Sequence, residues 1–404
     1  MSTGKSDGAL NGVRVLEFGQ VLAAPYIGLM LADQGAEVIK IEAPSGDPSR
    51  GYMPPDVEGH SPYFLSMNRN KLGVALDLKQ PAAIEAVLAM VAKADVVTEN
   101  FRAGVMERLG IGYEVMKAAN PGIIYCAVSG YGRTGPYADR AGYDPIAQAE
   151  SGLMSISGEP DGPPTRVGAS VVDMVTGMFA AQAVTAALYA RNEGGEGQRV
   201  DVNLFGTALN MLVNFAGQSL LTGDDPTRFG SGSQAAQPSG VFKSKDGEFM
   251  LTIAAEPMYR RFCEQVIERP ELADDDRFQT NAGRVANKVA LDAALGPVFA
   301  TMDNDVVIER MRTAGIPCGE ILGIRDALNS PMAQALELIT TAPHTELGDL
   351  KTLMPSYAMS ETPVRDPVGA PLIGEHTRAV LRDVAGFDDA RIDAMVAEGA
   401  AIST

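Results

Sequence analysis

The sequence is poor in the residues that build disulfide frameworks and zinc sites. Its three cysteines, Cys126, Cys263 and Cys318, lie far apart, and it has only three histidines in 404 residues. It contains no Cys-x-x-Cys pair and no Cys/His cluster, so no motif for a structural metal site is present. We therefore expect no bound metal and a protein of a reduced, cytoplasmic compartment.

Basic residues are also in deficit. Lys and Arg total 33 against 51 Asp and Glu, which sets the formal net charge at -18. Nucleic acids and anionic membranes attract proteins chiefly through Lys and Arg, so the composition argues against both as partners. An anionic ligand would need a local basic pocket.

The sequence has one long apolar segment, residues 167–190, and its first eight residues lack the apolar core of a signal peptide. The segment is long enough to cross a bilayer, but it contains Asp173, together with Ser170, Thr176 and Gln182. A charge inside a membrane span is costly, so we predict a helix of a soluble protein. Its carboxylate either stabilises the helix start or is held as a reagent.

Strand-like and helical patterns alternate along the first half of the chain. The predicted strands are residues 13–18, 37–42, 95–99, 123–129 and 198–204, and helices are predicted at 82–92, from about 173, and at 205–221. This alternation predicts a parallel sheet in an α/β fold. The turn after the first strand, Phe18-Gly-Gln-Val-Leu-Ala-Ala-Pro25, lacks the Gly-x-Gly-x-x-Gly of a nicotinamide-dinucleotide site.

The pattern changes after Gly223-Asp-Asp-Pro226. A segment rich in Gly, Ser, Pro and Gln leads to a predicted hairpin over residues 240–253, which turns at Asp246-Gly247. We predict a large α/β domain from residues 1–225, a smaller α+β domain at 226–325, and a return to the large domain over 326–404.

An ordered series of motifs over nearly the whole chain resembles the family III CoA-transferases, which include formyl-CoA transferase, carnitine CoA-transferase and the 2-methylacyl-CoA racemases. Each motif is weak alone, and their order carries the resemblance. They are Gly35-Ala-Glu-Val-Ile-Lys-Ile-Glu42, Asn68-Arg-Asn-Lys71, Val97-Thr-Glu-Asn-Phe101, Gly130-Tyr-Gly-Arg-Thr-Gly-Pro136, Asp161-Gly-Pro-Pro164 and Leu372-Ile-Gly-Glu-His-Thr377.

The resemblance implies a Rossmann-like large domain and an interlocked homodimer, with CoA as a co-substrate and no tightly bound cofactor. The expected partners are an acyl-CoA and a carboxylic acid. The family's nucleophile is an aspartate that follows a Gly-Pro-Pro segment at the head of a helix, and the matching position is Asp173. A carboxylate can attack an acyl-CoA thioester and then carry CoA as an aspartyl thioester.

The resemblance also implies contacts to CoA and to the acid. The expected CoA contacts are Leu22, Ala23, Leu76, Lys79, Asn100, Phe101, Arg102 and Arg108. The expected substrate contacts are Tyr63, Tyr143, Asp144 and Gln237. Lys79 and Arg108 could bind phosphates and so form the required basic pocket.

Some positions depart from the pattern of formyl-CoA transferase. Leu22 replaces a glutamine near the acyl group, which argues against formate and oxalate, and Ala43 replaces an arginine that contacts CoA. The glycines before Gln237-Pro238 are absent, so a mobile lid at residues 233–238 is less expected. The resemblance favours short dicarboxylates as the acids.

Two rival functions remain. A racemase would share the ligand, but the racemase Gly-His-Asp reads Gly142-Tyr-Asp144 in this sequence, and tyrosine, with a reference pKa of about 10, shuttles protons poorly near neutral pH. A non-catalytic CoA-binding protein would be expected to have lost its nucleophile, whereas Asp173 is present.

Overall fold

The computed structural model describes residues 8–404, which form two compact units. The first unit contains the described residues up to Ser151, with Val167–Val213 and Met332–Thr404. The second contains Gly152–Arg166 and Asn214–Pro331. The domain limits predicted from the sequence, at 225/226 and 325/326, stay predictions.

The strands of the described chain are numbered in sequence order. They are β1 Arg14–Glu17, β2 Glu37–Glu42, β3 Lys71–Leu76, β4 Val96–Glu99, β5 Ile124–Ser129, β6 Arg199–Asn203, β7 Ser239–Lys243, β8 Glu248–Thr252, β9 Cys318–Glu320, β10 Ile339–His344, β11 Gly348–Leu353 and β12 Ala401–Ile402.

The α-helices are numbered in the same way. They are α1 Ala23–Asp33, α2 Pro62–Met67, α3 Pro81–Val91, α4 Val105–Arg108, α5 Tyr113–Ala119, α6 Asp144–Glu150, α7 Val171–Asn192, α8 Leu204–Met211, α9 Asn214–Thr222, α10 Glu256–Arg261, α11 Glu271–Asp274, α12 Asn281–Ala286, α13 Lys288–Phe299, α14 Asn304–Thr313, α15 Ile324–Leu328, α16 Pro331–Ala335, α17 Thr377–Asp383 and α18 Asp389–Ala397. Short 3₁₀ turns lie at Pro48–Gly51 and Leu153–Ser155, and a π-helical turn lies at Phe262–Val266.

A seven-stranded sheet organises the first unit. Its order is β12-β3-β2-β1-β4-β5-β6, and every pair is parallel except the antiparallel pair of β12 with β3. Two apolar clusters enclose the sheet, one including α3, α17 and α18 and the other including α1 and α7. The predicted parallel-dominated α/β fold is confirmed, and the five predicted strands match β1, β2, β4, β5 and β6 within one or two residues.

The predicted helix at 205–221 is two helices. α8 ends at Met211 and α9 begins at Asn214, because Val213 adopts a left-handed φ of 35° that a continuous helix does not allow. The apolar pattern runs through both helices, so periodicity does not show this break.

The second unit contains a three-stranded antiparallel sheet, β7-β8-β9, as the predicted hairpin implies. Its core is aromatic, with Phe249 and Phe262 packed around Phe299 at ring-centroid distances of 5.1 and 6.1 Å. Arg284 is fully buried in this unit and donates to the backbone oxygens of Gln237, Phe278 and Ala254. A buried cation held by carbonyl oxygens ties the segment at Gln237 to this core.

The helix α7 is long and apolar enough to cross a membrane, judged by length and composition. In this structure it packs against α1, β5 and β6 within the first unit, as a helix of the core.

Candidate active site

The order of the large sheet creates a natural ligand position. β1 lies between β2 and β4, so the connections from β1 and from β4 leave the sheet in opposite directions. In such sheets, ligands bind outside the carboxyl ends of the strands where the order reverses. The loops that follow β1 and β4 therefore define the candidate site.

The direction of α7 places its first turn at this same edge. At the far end of α7, Arg191 donates to the Asp95 carboxylate (2.8 Å) and to the backbone oxygen of Gly122 (3.2 Å). Asp95 directly precedes β4, and Gly122 lies two residues before the start of β5. Both residues therefore mark the amino ends of these strands. Asp173, in the first turn of α7, consequently lies towards the carboxyl ends.

The carboxylate of Asp144 caps α7. Ser170 at the N-cap position makes no side-chain capping bond, and Asp144 Oδ2 instead accepts from the N–H groups of Val172 (2.7 Å) and Asp173 (3.1 Å). Gln148 Nε2 donates to Asp144 Oδ1 at 2.6 Å, and Gln148 Oε1 accepts from the N–H of Val167. A buried carboxylate on another helix thus satisfies two of the free N–H groups that every helix start leaves.

These neighbours alter the acidity of Asp173. Burial, with a smaller contribution from the nearby Asp144 carboxylate, raises the pKa of the Asp173 carboxyl to about 7. A helix start by itself favours the ionised form of an acid in its first turn, so the raised pKa of Asp173 reflects its burial and the like charge of Asp144.

This pKa predicts an acid limb in the pH dependence of activity. A carboxyl group is nucleophilic only when it is ionised, so the nucleophile that the resemblance implies at Asp173 predicts that kcat/KM rises as the pH increases through about 7 and levels off above it. An ordinary aspartate, with a reference pKa of about 3.9, would leave the rate flat across this range. Steady-state rates between pH 5.5 and 8.5 measure the limb, and a flat profile would contradict the assigned environment.

Two of the predicted substrate residues are tyrosines with different surroundings. Tyr63 is partly buried, its ring lies 5.4 Å from that of Tyr52, and it bonds to the Ser170 side chain. Burial, with the charge of Asp173, raises the pKa of Tyr63 to about 12, so its hydroxyl stays a donor at neutral pH. Tyr143 precedes Asp144 and is 66% exposed, which leaves its side chain open to a ligand.

The residues predicted to bind CoA lie at three connections of the sheet, those that follow β1, β3 and β4. Leu22 and Ala23 are at the start of α1 after β1, and both are buried. Asn100, Phe101 and Arg102 follow β4, and Arg108 is exposed at the end of α4. Leu76 and Lys79 are at and after the end of β3; Lys79 is exposed, whereas the Leu76 side chain is fully buried in the core. A contact from Leu76 would have to come from its backbone.

Asp144 and Gln237 have protein partners that the sequence did not predict. Both Asp144 carboxylate oxygens are engaged on α6 and α7, as described above. Gln237 lies in the second unit, where its Nε2 donates to the Ser233 oxygen (2.9 Å) and its Oε1 accepts from the N–H of Ser239 (3.1 Å). Their substrate contacts stay predictions, and the side-chain bonds assign both residues a local structural role.

Sequence reasoning missed a buried ionic cluster beside β1. Lys71 Nζ donates to Glu17 Oε1 (2.9 Å), and Lys40 Nζ donates to Asp47 Oδ2 (2.9 Å). Burial lowers the pKa of Lys71 to about 8 despite Glu17. The signal was present, because a lysine opens or interrupts each of two strands that are otherwise apolar and buried.

A cavity of about 590 Å³ lies at the other edge of the same sheet. Its lining includes Arg14, His344, Arg365 and His376, with residues at the starts of β1 and β2. Asp173 does not line it. Among the described residues, 8–404, no group of three or more His, Cys, Asp or Glu side chains is arranged to hold a metal ion.

The fold is that of an α/β protein with a Rossmann-like sheet. At the carboxyl-end edge of this sheet, beside the reversal of strand order, an acid of raised pKa lies at a helix start. The model of CoA-transferase family III matches residues 10–377, and the chain belongs to that family. It is a family III CoA-transferase.

Known proteins resemble the chain over nearly its whole length. Succinyl-CoA:glutarate CoA-transferase of Mus musculus is 36% identical over 96% of this chain and 89% of its own length. Succinate–glutarate CoA-transferase of Agrobacterium fabrum is 36% identical over 93% of this chain and 95% of its own. The crystal structure of a CAIB/BAIF family protein from Brucella suis superposes with a TM-score of 0.85 at 34% identity, over 93% of this chain and 99% of that one.

Proposed function

We propose that the protein moves CoA from an acyl-CoA to a free carboxylic acid through an aspartyl-CoA thioester on Asp173. The observation that carries this proposal is a partly buried carboxyl with a pKa of about 7, in the first turn of a core helix at the ligand edge of the sheet. Perturbed acids in such positions are characteristic of reacting groups.

The proposed reaction begins when an Asp173 carboxylate oxygen attacks the thioester carbonyl carbon. The C–S bond breaks, CoA leaves as its thiolate, and a mixed anhydride joins Asp173 to the acyl group. The thiolate then attacks the carbonyl carbon of Asp173. The anhydride C–O bond breaks, the donor acid departs as its carboxylate, and Asp173 carries CoA as a thioester.

The second half retraces these steps with the acceptor. Its carboxylate attacks the aspartyl thioester carbon, and CoA thiolate leaves again. The thiolate attacks the acceptor carbonyl of the new anhydride, which releases the acceptor as its CoA ester and restores the Asp173 carboxylate. Partial burial of Asp173 supports the exclusion of water, which would otherwise hydrolyse both intermediates.

The surrounding groups have proposed roles in this cycle. Asp144 fixes the backbone around Asp173, while Tyr63, which stays protonated, is placed to donate a hydrogen bond to a developing oxyanion or to the acid. Tyr143 stands at the position of the racemase histidine, which favours transfer over proton exchange at the α carbon.

We further propose short dicarboxylates as the acids and succinyl-CoA as a donor. The mouse and Agrobacterium relatives are named for succinate or succinyl-CoA and for glutarate.

A homodimer in the cytoplasm is also proposed. The large apolar side chains exposed on α7, Met178 and Phe179 at 40% and Tyr189 at 70%, support burial against a second copy.

The decisive experiment detects the covalent intermediate. The protein is incubated briefly with succinyl-CoA or another short acyl-CoA, and intact and peptide masses are measured. A gain of the mass of CoA less one water, mapped to Asp173, supports the proposal. No adduct with a donor that is turned over would contradict the covalent route, and solvent deuterium entering the α carbon would favour racemisation.

Lys79 and Arg108, which follow β3 and β4, should affect the binding of acyl-CoA more than the rate of CoA transfer. Arg108→Ala is expected to raise the KM for acyl-CoA by about 10-fold or more with little change in kcat, because a charge-assisted bond to phosphate contributes about 1.5 to 3 kcal/mol. Steady-state kinetics with Lys79→Ala as a second variant test this. Lys93→Ala, an exposed lysine just before β4, is the control. Equal effects of all three would point to net charge instead of a phosphate site.

A further inference from the structure

The loop between β1 and α1, residues 18–22, holds a strained backbone at the strand-order reversal. Val21 has a φ of 64°, in the left-handed region. A β-branched residue is a genuine outlier there, and such strain persists only where surrounding contacts over-determine the conformation.

Side chains from two other segments fix the loop backbone. The N–H of Gln20 donates to Asn100 Oδ1 (2.8 Å), and Asn100 Nδ2 donates to the backbone oxygen of Gln20 (2.9 Å). The N–H of Val21 donates to the Asp47 carboxylate at 3.2 and 3.3 Å. The strained residue is thus bracketed by bonds to the connections after β4 and β2.

Two buried lysines hold the two ends of this segment. Lys40 on β2 donates to the backbone oxygen of Gly19 at 2.9 Å, and Lys71 on β3 donates to that of Pro25 at 2.8 Å. Neither lysine side chain is exposed. Because each ammonium contacts a main-chain oxygen of the loop or of the first turn of α1, each can set its position directly.

Two carboxylates balance these lysines. Glu17 Oε1 lies 3.3 Å from Lys40 and 2.9 Å from Lys71, and Asp47 Oδ2 lies 2.9 Å from Lys40; both acids are buried. Buried ion pairs of this kind are weak sources of stability, since apolar replacements often match them. Stability alone therefore does not account for four charges under one short loop.

The clamped segment contacts the helix that carries Asp173. Gly177 lies one turn further along α7, on the same face as Asp173. A Cβ at Gly177 would come within 2.9 Å of the Ala23 backbone oxygen and 3.0 Å of the Tyr26 ring, so α1 begins in direct contact with this face. A shift of the loop would consequently move α1 against the turn below the reacting carboxylate.

We propose that Lys40, Lys71, Glu17 and Asp47 are positioning residues for CoA transfer. Together they hold the β1–α1 loop, with Leu22 and Ala23, in register with the first two turns of α7. This inference rests on the proposed function at Asp173 and adds a device that the family resemblance did not include.

The test replaces one buried pair without leaving a lone charge. The double variant Glu17→Gln with Lys71→Met removes the bond to Pro25. Its matched control is Asp33→Asn with Arg69→Met, which removes a buried pair at the other end of α1, where Arg69 Nε donates to Asp33 Oδ1 at 3.0 Å. The melting temperature and the kcat and KM for CoA transfer are measured for each.

The loop variant should lose about 10- to 100-fold in kcat, because a misplacement of about 1 Å near a reacting group costs up to about 100-fold. The melting temperature of the control should fall by a similar amount, but its kcat should fall by less than about threefold. If both variants stay within threefold, the cluster only stabilises the fold and the inference is overturned. If the loop variant does not fold, Asp47→Asn, which keeps the side-chain size, is judged by the same criteria.

Failure of the proposed intermediate is recognised separately. These rates report overall CoA transfer, whereas the adduct on Asp173 is sought in the unaltered protein. Transfer without an adduct would reject the aspartyl-CoA route and leave the comparison of the two buried pairs intact.

Discussion

Replacing Asp173 by asparagine is expected to abolish CoA transfer, with a loss of at least about 1,000-fold in kcat, because the proposed chemistry has no other route to the thioester. Asparagine keeps the size and one oxygen of the side chain, so the loss would report the missing carboxylate nucleophile. Steady-state transfer from succinyl-CoA measures the loss of activity. Mass measurement shows whether the CoA adduct is lost with it.

The control for this variant is another acid in the first turn of a helix. Glu114, in the first turn of α5, is exposed, and Glu114→Gln should leave transfer unchanged. The melting temperature of Asp173→Asn should stay close to that of the parent or rise slightly, since a partly buried acid is replaced by a neutral group. Residual transfer above about a tenth of the parent rate would contradict a nucleophilic Asp173.

The strands that carry the site were predictable from local sequence. β1, β2, β4 and β5 are short runs of Val, Ile, Leu and other residues buried on both faces, and this composition is typical of parallel strands. β3 was missed because it begins with Lys71, whose charge is paired with Glu17, 54 residues earlier in the chain. Pattern analysis does not reveal such a distant partner.

The position of Asp173 was also predictable, whereas its acidity was not. Its place at a helix start followed from the ordered motifs, but the raised pKa depends on burial and on Asp144, 29 residues earlier. One part of that arrangement had a local signal. Gln148 lies four residues after Asp144 on α6, a spacing at which helical side chains meet.

The proposed covalent transfer places opposing requirements on the surroundings of Asp173. The nucleophile must be ionised to react, yet it must be dry enough to protect an anhydride and a thioester from water. A pKa of about 7 is the compromise reached by partial burial next to a like charge. Lys40 is paired with Asp47 and Lys71 with Glu17, so the charges that hold the β1–α1 loop are balanced within the cluster.

Asp144→Ala is expected to show the second-largest loss, about 10- to 100-fold in kcat, with a loss of about 1 to 3 kcal/mol in the free energy of unfolding. The variant leaves the N–H groups of Val172 and Asp173 without their acceptor and frees the Gln148 amide, so the turn that carries Asp173 loses its anchor. Chemical denaturation and steady-state kinetics measure the two effects.

Asp144→Asn separates the anchor from the charge. Asparagine keeps an oxygen that can accept from α7 but removes the like charge that helps to raise the pKa of Asp173. Its acid limb in kcat/KM should therefore move to lower pH, while kcat above pH 8 stays nearer that of the parent than Asp144→Ala does. An acid limb that does not move would show that burial alone sets the acidity of Asp173. Equal kcat losses in the two variants would show that Asp144 acts through its charge or on the substrate itself, and not as the cap of α7.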